Sequence, residues 1–133
     1  MLYHVKVSGD SLNDFRTAYA NATAKVIEND TFEMVIAVDD INSLDSFVFP
    51  VLYGITTKLK KFGVVDIANI KVFLETKINK SKFTSGVIIA SYVTDGYLGE
   101  ILADSRATDT VFVTDINDKL KKYLSHNNSA ELI

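Results

Sequence analysis

Cysteine is missing from this 133-residue chain altogether, there is one proline, Pro50, and there are two histidines. Without cysteine there is no disulfide framework, no thiolate metal site and no thiol nucleophile. His4 falls in a strand candidate and His126 in the C-terminal tail, and neither has a visible partner for catalysis. Glycine is sparse: Gly96 and Gly99 in TDGYLGE do not make the three-glycine dinucleotide fingerprint, and no glycine-rich phosphate loop is present. No apolar run approaches the ~18 residues of a membrane span. The opening MLYHVKVSGD has neither a basic-then-apolar signal nor a small-residue cleavage site. A soluble cytoplasmic protein without membrane association is the expectation. Positive charge is not in excess either, since 14 basic and 17 acidic residues leave a net charge of −3, so no broad electropositive field draws nucleic acid.

What is present is a core-forming composition, 47% hydrophobic, laid out in alternating periods. Leu2 to Val7 is a strand candidate closed by Ser8-Gly9-Asp10, and Ser11 stands where a helix N-cap belongs. Leu12, Phe15, Tyr19, Ala22 and Val26 then recur at helical steps. Phe32 to Val38 is almost wholly apolar, as a central strand covered on both faces is. The next apolar row, Val48, Leu52, Ile55, Leu59 and Phe62, predicts one long helix starting between Ser46 and Pro50. Lys58, Lys60, Lys61 and then Gly63 are its stop signals.

Residues 64–84 satisfy both periods, and the alternation of Ile70, Val72 and Leu74 favours a strand or hairpin arm ending in the loop Asn79 to Lys82. Beyond it come a strand from Gly86 to Val93, a short helix from Tyr97 to Asp104 with Tyr97 exposed, and a strand from Thr110 to Val113. Ile116, Leu120 and Leu124 form the buried row of a last helix. The whole predicts one α/β domain over 1–124, with a mainly parallel or mixed central sheet and alternating helices, and a flexible tail over 125–133.

Two runs carry a family likeness. Val7 to Gly63 has a glycine-acid turn before a helix, an apolar strand, an aspartate-serine at a helix start and a helix ending at glycine. It resembles the STAS domain of anti-anti-sigma factors and sulfate-transporter tails. Gly86 to Leu124, GVIIASYVTDGYLGEILADSRATDTVFVTDINDKLKKYL, is similar to that family's closing strand-helix-strand-helix. The resemblance implies a STAS-like fold and a non-enzymatic regulatory module, with a protein partner such as an anti-sigma-like kinase. That partner would dock over Asp39, Asp40, Asn42, Asp45, Phe47 and Phe49, and phosphorylation of Ser46 would be the switch.

On the residues alone, Ser46 and Asp45 have two readings. Either caps a helix, a role worth about 1 kcal/mol, or Ser46 takes a phosphate that adds nearly two negative charges to a surface a partner must desolvate. Phe47 and Phe49 beside it read equally as core or as docking patch. A different reading uses acids that follow strands. Asp39, Asp40, Asp95 and Asp115 would gather at the carboxyl edge of a parallel sheet, where open α/β folds bind ligands, and could hold Mg²⁺ in a small Mg-dependent or ligand-binding protein. Thr94-Asp95 and Thr114-Asp115 equally read as helix caps.

Overall fold

A computed structural model of the chain describes residues 1–48, 52 and 54–133, excluding the side chains of 47 and 48. Seven strands, Leu2–His4 (β1), Glu33–Ala37 (β2), Val64–Ile67 (β3), Ile70–Glu75 (β4), Gly86–Ser91 (β5), Ala107–Val113 (β6) and Glu131–Leu132 (β7), form one sheet in the order β3-β4-β2-β5-β6-β1-β7. All neighbours pair parallel except β3 and β4, which form an antiparallel hairpin. The α-helices are Ser11–Glu28 (α1), Thr56–Phe62 (α2), Asp95–Leu102 (α3) and Asn117–His126 (α4), and Leu44–Val48 is a π-helical turn. The fold is α/β with a mixed, mostly parallel sheet.

The apolar run of β2 explains its central position. Side chains alternate across a strand, so Met34, Ile36 and Val38 enter the core under α1 while Val35 and Ala37 enter the opposite core. Both faces are therefore filled, and β2 has β4 on one side and β5 on the other. On the first face, Phe15, Ala18, Ala22 and Val26 of α1 pack beside Leu44, Leu52 and Leu59. On the second, Tyr97, Leu98 and Ile101 of α3 meet Phe112, Phe83 and Tyr123 of α4. The hairpin expected within 64–84 is present, and its two turn residues, Ala68 and Asn69, both have positive φ (51° and 69°), the pattern of a tight turn matched to strand twist. Gly63 ends α2 in the left-handed region at φ 74°, its N–H donating to the Leu59 carbonyl over 2.8 Å.

Several expectations are corrected. The cap of α1 is Asp10, whose carboxylate accepts from the Asn13 N–H, and Ser11 is already helical. The long helix beginning near Ser46 is instead the π turn and the separate α2. Gly54 lies between them at φ 83°, a left-handed backbone that an α-helix cannot carry through. The proposed start at Pro50 lies outside the described residues. Tyr97 is 8% exposed, not a surface residue, because α3 begins two residues earlier than expected and turns it inward. In α4 Leu120 and Leu124 pack against the second core as expected, joined by the buried Tyr123, while Ile116 is 46% exposed.

The last residues, expected as a flexible tail, lie along the sheet. β7 pairs with β1, and Ile133 N–H donates to the His4 carbonyl over 3.0 Å. Among the described residues, no helix is long and apolar enough to cross a membrane.

Candidate functional site

Strand β2 sends the chain toward β4 and the sheet edge, whereas β4 sends it back past β2 to β5. The carboxyl ends of β2 and β4 lie side by side at the end of the sheet where open α/β folds accommodate ligands. A cleft of about 420 Å³ opens there. Asp39, Asp40 and Ile41 follow β2, Leu59, Lys60 and Gly63 come from the end of α2, and Leu74 and residues 76–79 come from β4 and its exit turn. A second cleft of about 380 Å³ shares Gly63, Leu74 and Asn79 with the first and continues past Phe62, Lys80 and Lys82. Three large apolar side chains stand in solvent around the pair: Ile41 at 39%, Phe62 at 65% and Ile78 at 88% exposure.

The wall formed by the exit turn is held by a buried ionic network. Glu75, 4% exposed, accepts from Arg106 Nη1 and Nη2 at 2.9 and 2.8 Å, and from the Ser81 N–H and hydroxyl at 3.0 and 2.6 Å. Asp104 takes the other side of the same guanidinium through Nε and Nη2. Burial alone would raise the Glu75 pKa, but these donors outweigh it and hold the carboxyl below its ordinary value. Hydrogen bonds from Arg106 likewise depress Asp104. Glu75 thereby closes the 76–80 turn at both ends.

The structure divides the expected docking residues. Asp39 is half-buried and accepts from the Thr94 N–H (3.0 Å) and hydroxyl (3.2 Å), tying the end of β2 to that of β5, with Lys77 at 3.6 Å. Asp40 accepts from the Asn42 N–H over 2.9 Å in a local turn, and both residues are exposed. Asp45 is exposed and ion-paired to Lys60. Ser46 is exposed in the middle of the π turn, and no hydrogen bond of its hydroxyl is found among the described residues. The backbone turns that start this segment run from Ser43 N–H to Asp40 O and from Asp45 N–H to Asn42 O instead. The side chains of Phe47 and Phe49 lie outside the described residues.

The acids of the Mg²⁺ reading do not come together. Asp95 pairs with Lys122 at 2.9 Å, and the hydrogen bond from that lysine lowers its pKa. Asp39 is committed to Thr94 and Lys77, and Asp115 is an exposed residue beyond β6. Among the described residues no group of three or more acids or histidines is arranged to hold a metal ion. The cap readings fare little better. Thr94 occupies the N-cap of α3 without a side-chain cap bond, and α4 starts from Ile116, whose N–H is taken by the Thr114 hydroxyl at 3.3 Å.

Two arrangements at this edge were not anticipated from sequence. Asp14, only 3% exposed, accepts from the Ser8 hydroxyl (2.6 Å) and N–H (3.1 Å), locking the 8–10 turn onto α1. Tyr92, at φ 55°, donates to the Ser11 carbonyl over 2.6 Å, and burial followed by the charges of Asp14, Asp115 and Asp10 pushes its hydroxyl pKa up. Neither has a local signal, because their partners are distant in sequence or need the fold to meet. The lysines around the clefts did have one. Between residues 58 and 82 seven lysines stand against Asp66 and Glu75 alone. Comparison with protein-family models, curated proteins and solved structures gives no match for the chain.

Proposed function

We propose that this protein is a non-enzymatic regulatory module that binds a protein partner over the carboxyl ends of β2 and β4. The observation that carries the reading is the trio of exposed apolar side chains, Ile41, Phe62 and Ile78, around adjoining clefts with a charged rim. Apolar anchors inside a polar rim are the anatomy of a docking surface. A small molecule seated in the first cleft would leave Phe62, which lines only the second, and most of Ile78 in water. The likeness of Val7 to Gly63 and Gly86 to Leu124 to STAS domains supports the same class of function, with an anti-sigma-like kinase as the kind of partner. Ser46 is the modification point in this reading: it is exposed, next to Asp45, whose partner Lys60 lines the cleft.

Affinity capture from the native cell tests the reading. The parent chain and Ile27→Asp, which alters an apolar residue 53% exposed at the far end of α1, are expected to retain the same protein. Ile78→Asp and Phe62→Asp are expected to lose it, and Ser46→Asp to weaken it while the fold is kept. Retention by both rim variants, or no specific protein with the parent, overturns the proposal.

A further inference from the structure

The chain is acidic overall, yet its charge is unevenly placed. Outside residues 58–82 fifteen acids accompany only seven basic residues, so the seven lysines of that segment form a local reversal of sign. The fold brings four of them to one groove. Lys60 and Lys77 line the first cleft, and Lys80 and Lys82 line the second. The two acids of the segment do not neutralise them. Glu75 is consumed by Arg106, and Asp66 lies opposite Lys71 toward the other end of the hairpin, beside Thr31 and Phe32. Lys60 and Lys77 have Asp45 and Asp39, but Lys80, 74% exposed, reaches only Asp104 at 4.0 Å. Among the described residues no carboxylate is ion-paired to Lys82, which is exposed. Thr76, 9% exposed, also lines the first cleft, and among the described residues its hydroxyl has no hydrogen bond.

We infer that the partner presents an acidic segment to this groove, its carboxylates on Lys80 and Lys82 and an apolar side chain between Ile41 and Ile78. The inference rests on the docking surface proposed above and names its occupant. Charge complementarity selects it, because the rest of this surface is acidic and repels the same segment, so the groove fixes both partner and register. A single-stranded nucleic acid is a poorer match. Such sites stack bases on aromatic platforms along a continuous positive track, whereas here Asp39 and Asp40 interrupt the lysines, and of the two aromatics lining the clefts among the described residues Phe62 is exposed and Phe73 buried.

A random dodecapeptide phage library panned on the immobilised full chain tests this. The enriched peptides are expected to carry at least about twice as many acids as bases together with a large apolar residue. A synthetic copy of the leading peptide should shift the amide signals of Gly63, Leu74 and Asn79, and bind about tenfold or more weakly to Lys80→Glu/Lys82→Glu. Both substitutions are on exposed side chains, and an unchanged melting temperature certifies the fold. Neutral or basic winners, no enrichment, or tighter binding of a twelve-nucleotide oligothymidine overturns the inference. So does concentration-dependent dimerisation abolished by the charge reversal, which would make the acidic segment the chain's own. If Ile78→Asp loses the captured protein while the winners are not acidic, the docking surface stands and its acidic occupant falls. If Ile78→Asp and Phe62→Asp both keep that protein, the docking surface itself is wrong.

Discussion

Replacing Arg106 with methionine should destabilise the domain by about 3 kcal/mol at pH 7, and the structure says where that comes from. The guanidinium supplies two bonds to Glu75 and further bonds to Asp104, both carboxylates being less than a tenth exposed. Removing one partner of a buried pair leaves an uncompensated charge, typically 3–5 kcal/mol. The lower end is appropriate because Ser81 still donates twice to Glu75 and Lys80 stands 4.0 Å from Asp104. The pH dependence has a definite sign. Both carboxyls are held below their ordinary values in the folded parent, so the stability they confer is complete above the unfolded range near pH 4 and is lost as pH falls through the folded values. In Arg106→Met that depression is relieved and the variant loses less on acidification. The gap between the two proteins therefore narrows between about pH 5 and 3. Urea unfolding at a series of pH values measures both quantities. Adding Glu75→Leu should recover at least about 1 kcal/mol, since a hydrophobic replacement of a buried pair costs little. A loss under about 1 kcal/mol, or a gap independent of pH, would refute the assignment of Glu75 and Arg106 as the anchor of the exit turn.

Gly86→Ala should be among the most damaging single-methyl changes. A Cβ there would lie 2.0 Å from the backbone oxygen of Glu33, so β2 and β5 must separate, and a loss of about 3 kcal/mol or failure to fold is expected in thermal melts. A melting temperature within a few degrees of the parent would mean that the strands are not this close. Gly63→Val should cost about 1 kcal/mol or more, because a β-branched residue is strained at φ 74°, and an unchanged melting temperature would place the end of α2 elsewhere. Ser46→Ala, by contrast, should change stability by less than about 0.5 kcal/mol, since the exposed hydroxyl has no hydrogen bond among the described residues, and a loss near 1 kcal/mol would support the capping role.

Elements whose pattern admits one reading were legible. The apolar run from Met34 to Val38 has no half-exposed interpretation, and Gly63 after three lysines in a helical row has few non-terminal ones. The split before α2 was illegible for a physical reason. The spacing of Val48, Leu52, Ile55 and Leu59 obeys the helical period whether or not the chain is continuous, and Gly54 in a helix interior costs only about 1 kcal/mol, too little to forbid one. Strand β7 is two residues long and gains its place solely by pairing with β1, so no period could announce it. Tyr97, with Gly96 before it and Gly99 two residues on, reads as surface until α3 is given its true start at Asp95.

At the carboxyl edge the sequence identified acids and the structure identifies lysines and apolar rims, and the difference lies in how charge was averaged. A net of −3 over the chain hides a basic segment because the compensating acids lie elsewhere in sequence. Asp39 looked like a ligand-binding carboxylate from its place after β2, but its Oδ1 accepts from Thr94, 55 residues away, a contact no local pattern encodes. Ser46 keeps its interest for a different reason than a helix end. The π turn has only five residues and Ser46 stands in its middle, so the helix-terminal cradle for a phosphate is not its setting. Its relevant neighbour is Asp45, which already binds the Lys60 of the cleft. A phosphate on Ser46 would compete for that lysine and add negative charge beside the groove proposed to receive an acidic segment. Modification would then release the partner by repulsion at its docking site, with no rearrangement of the sheet required.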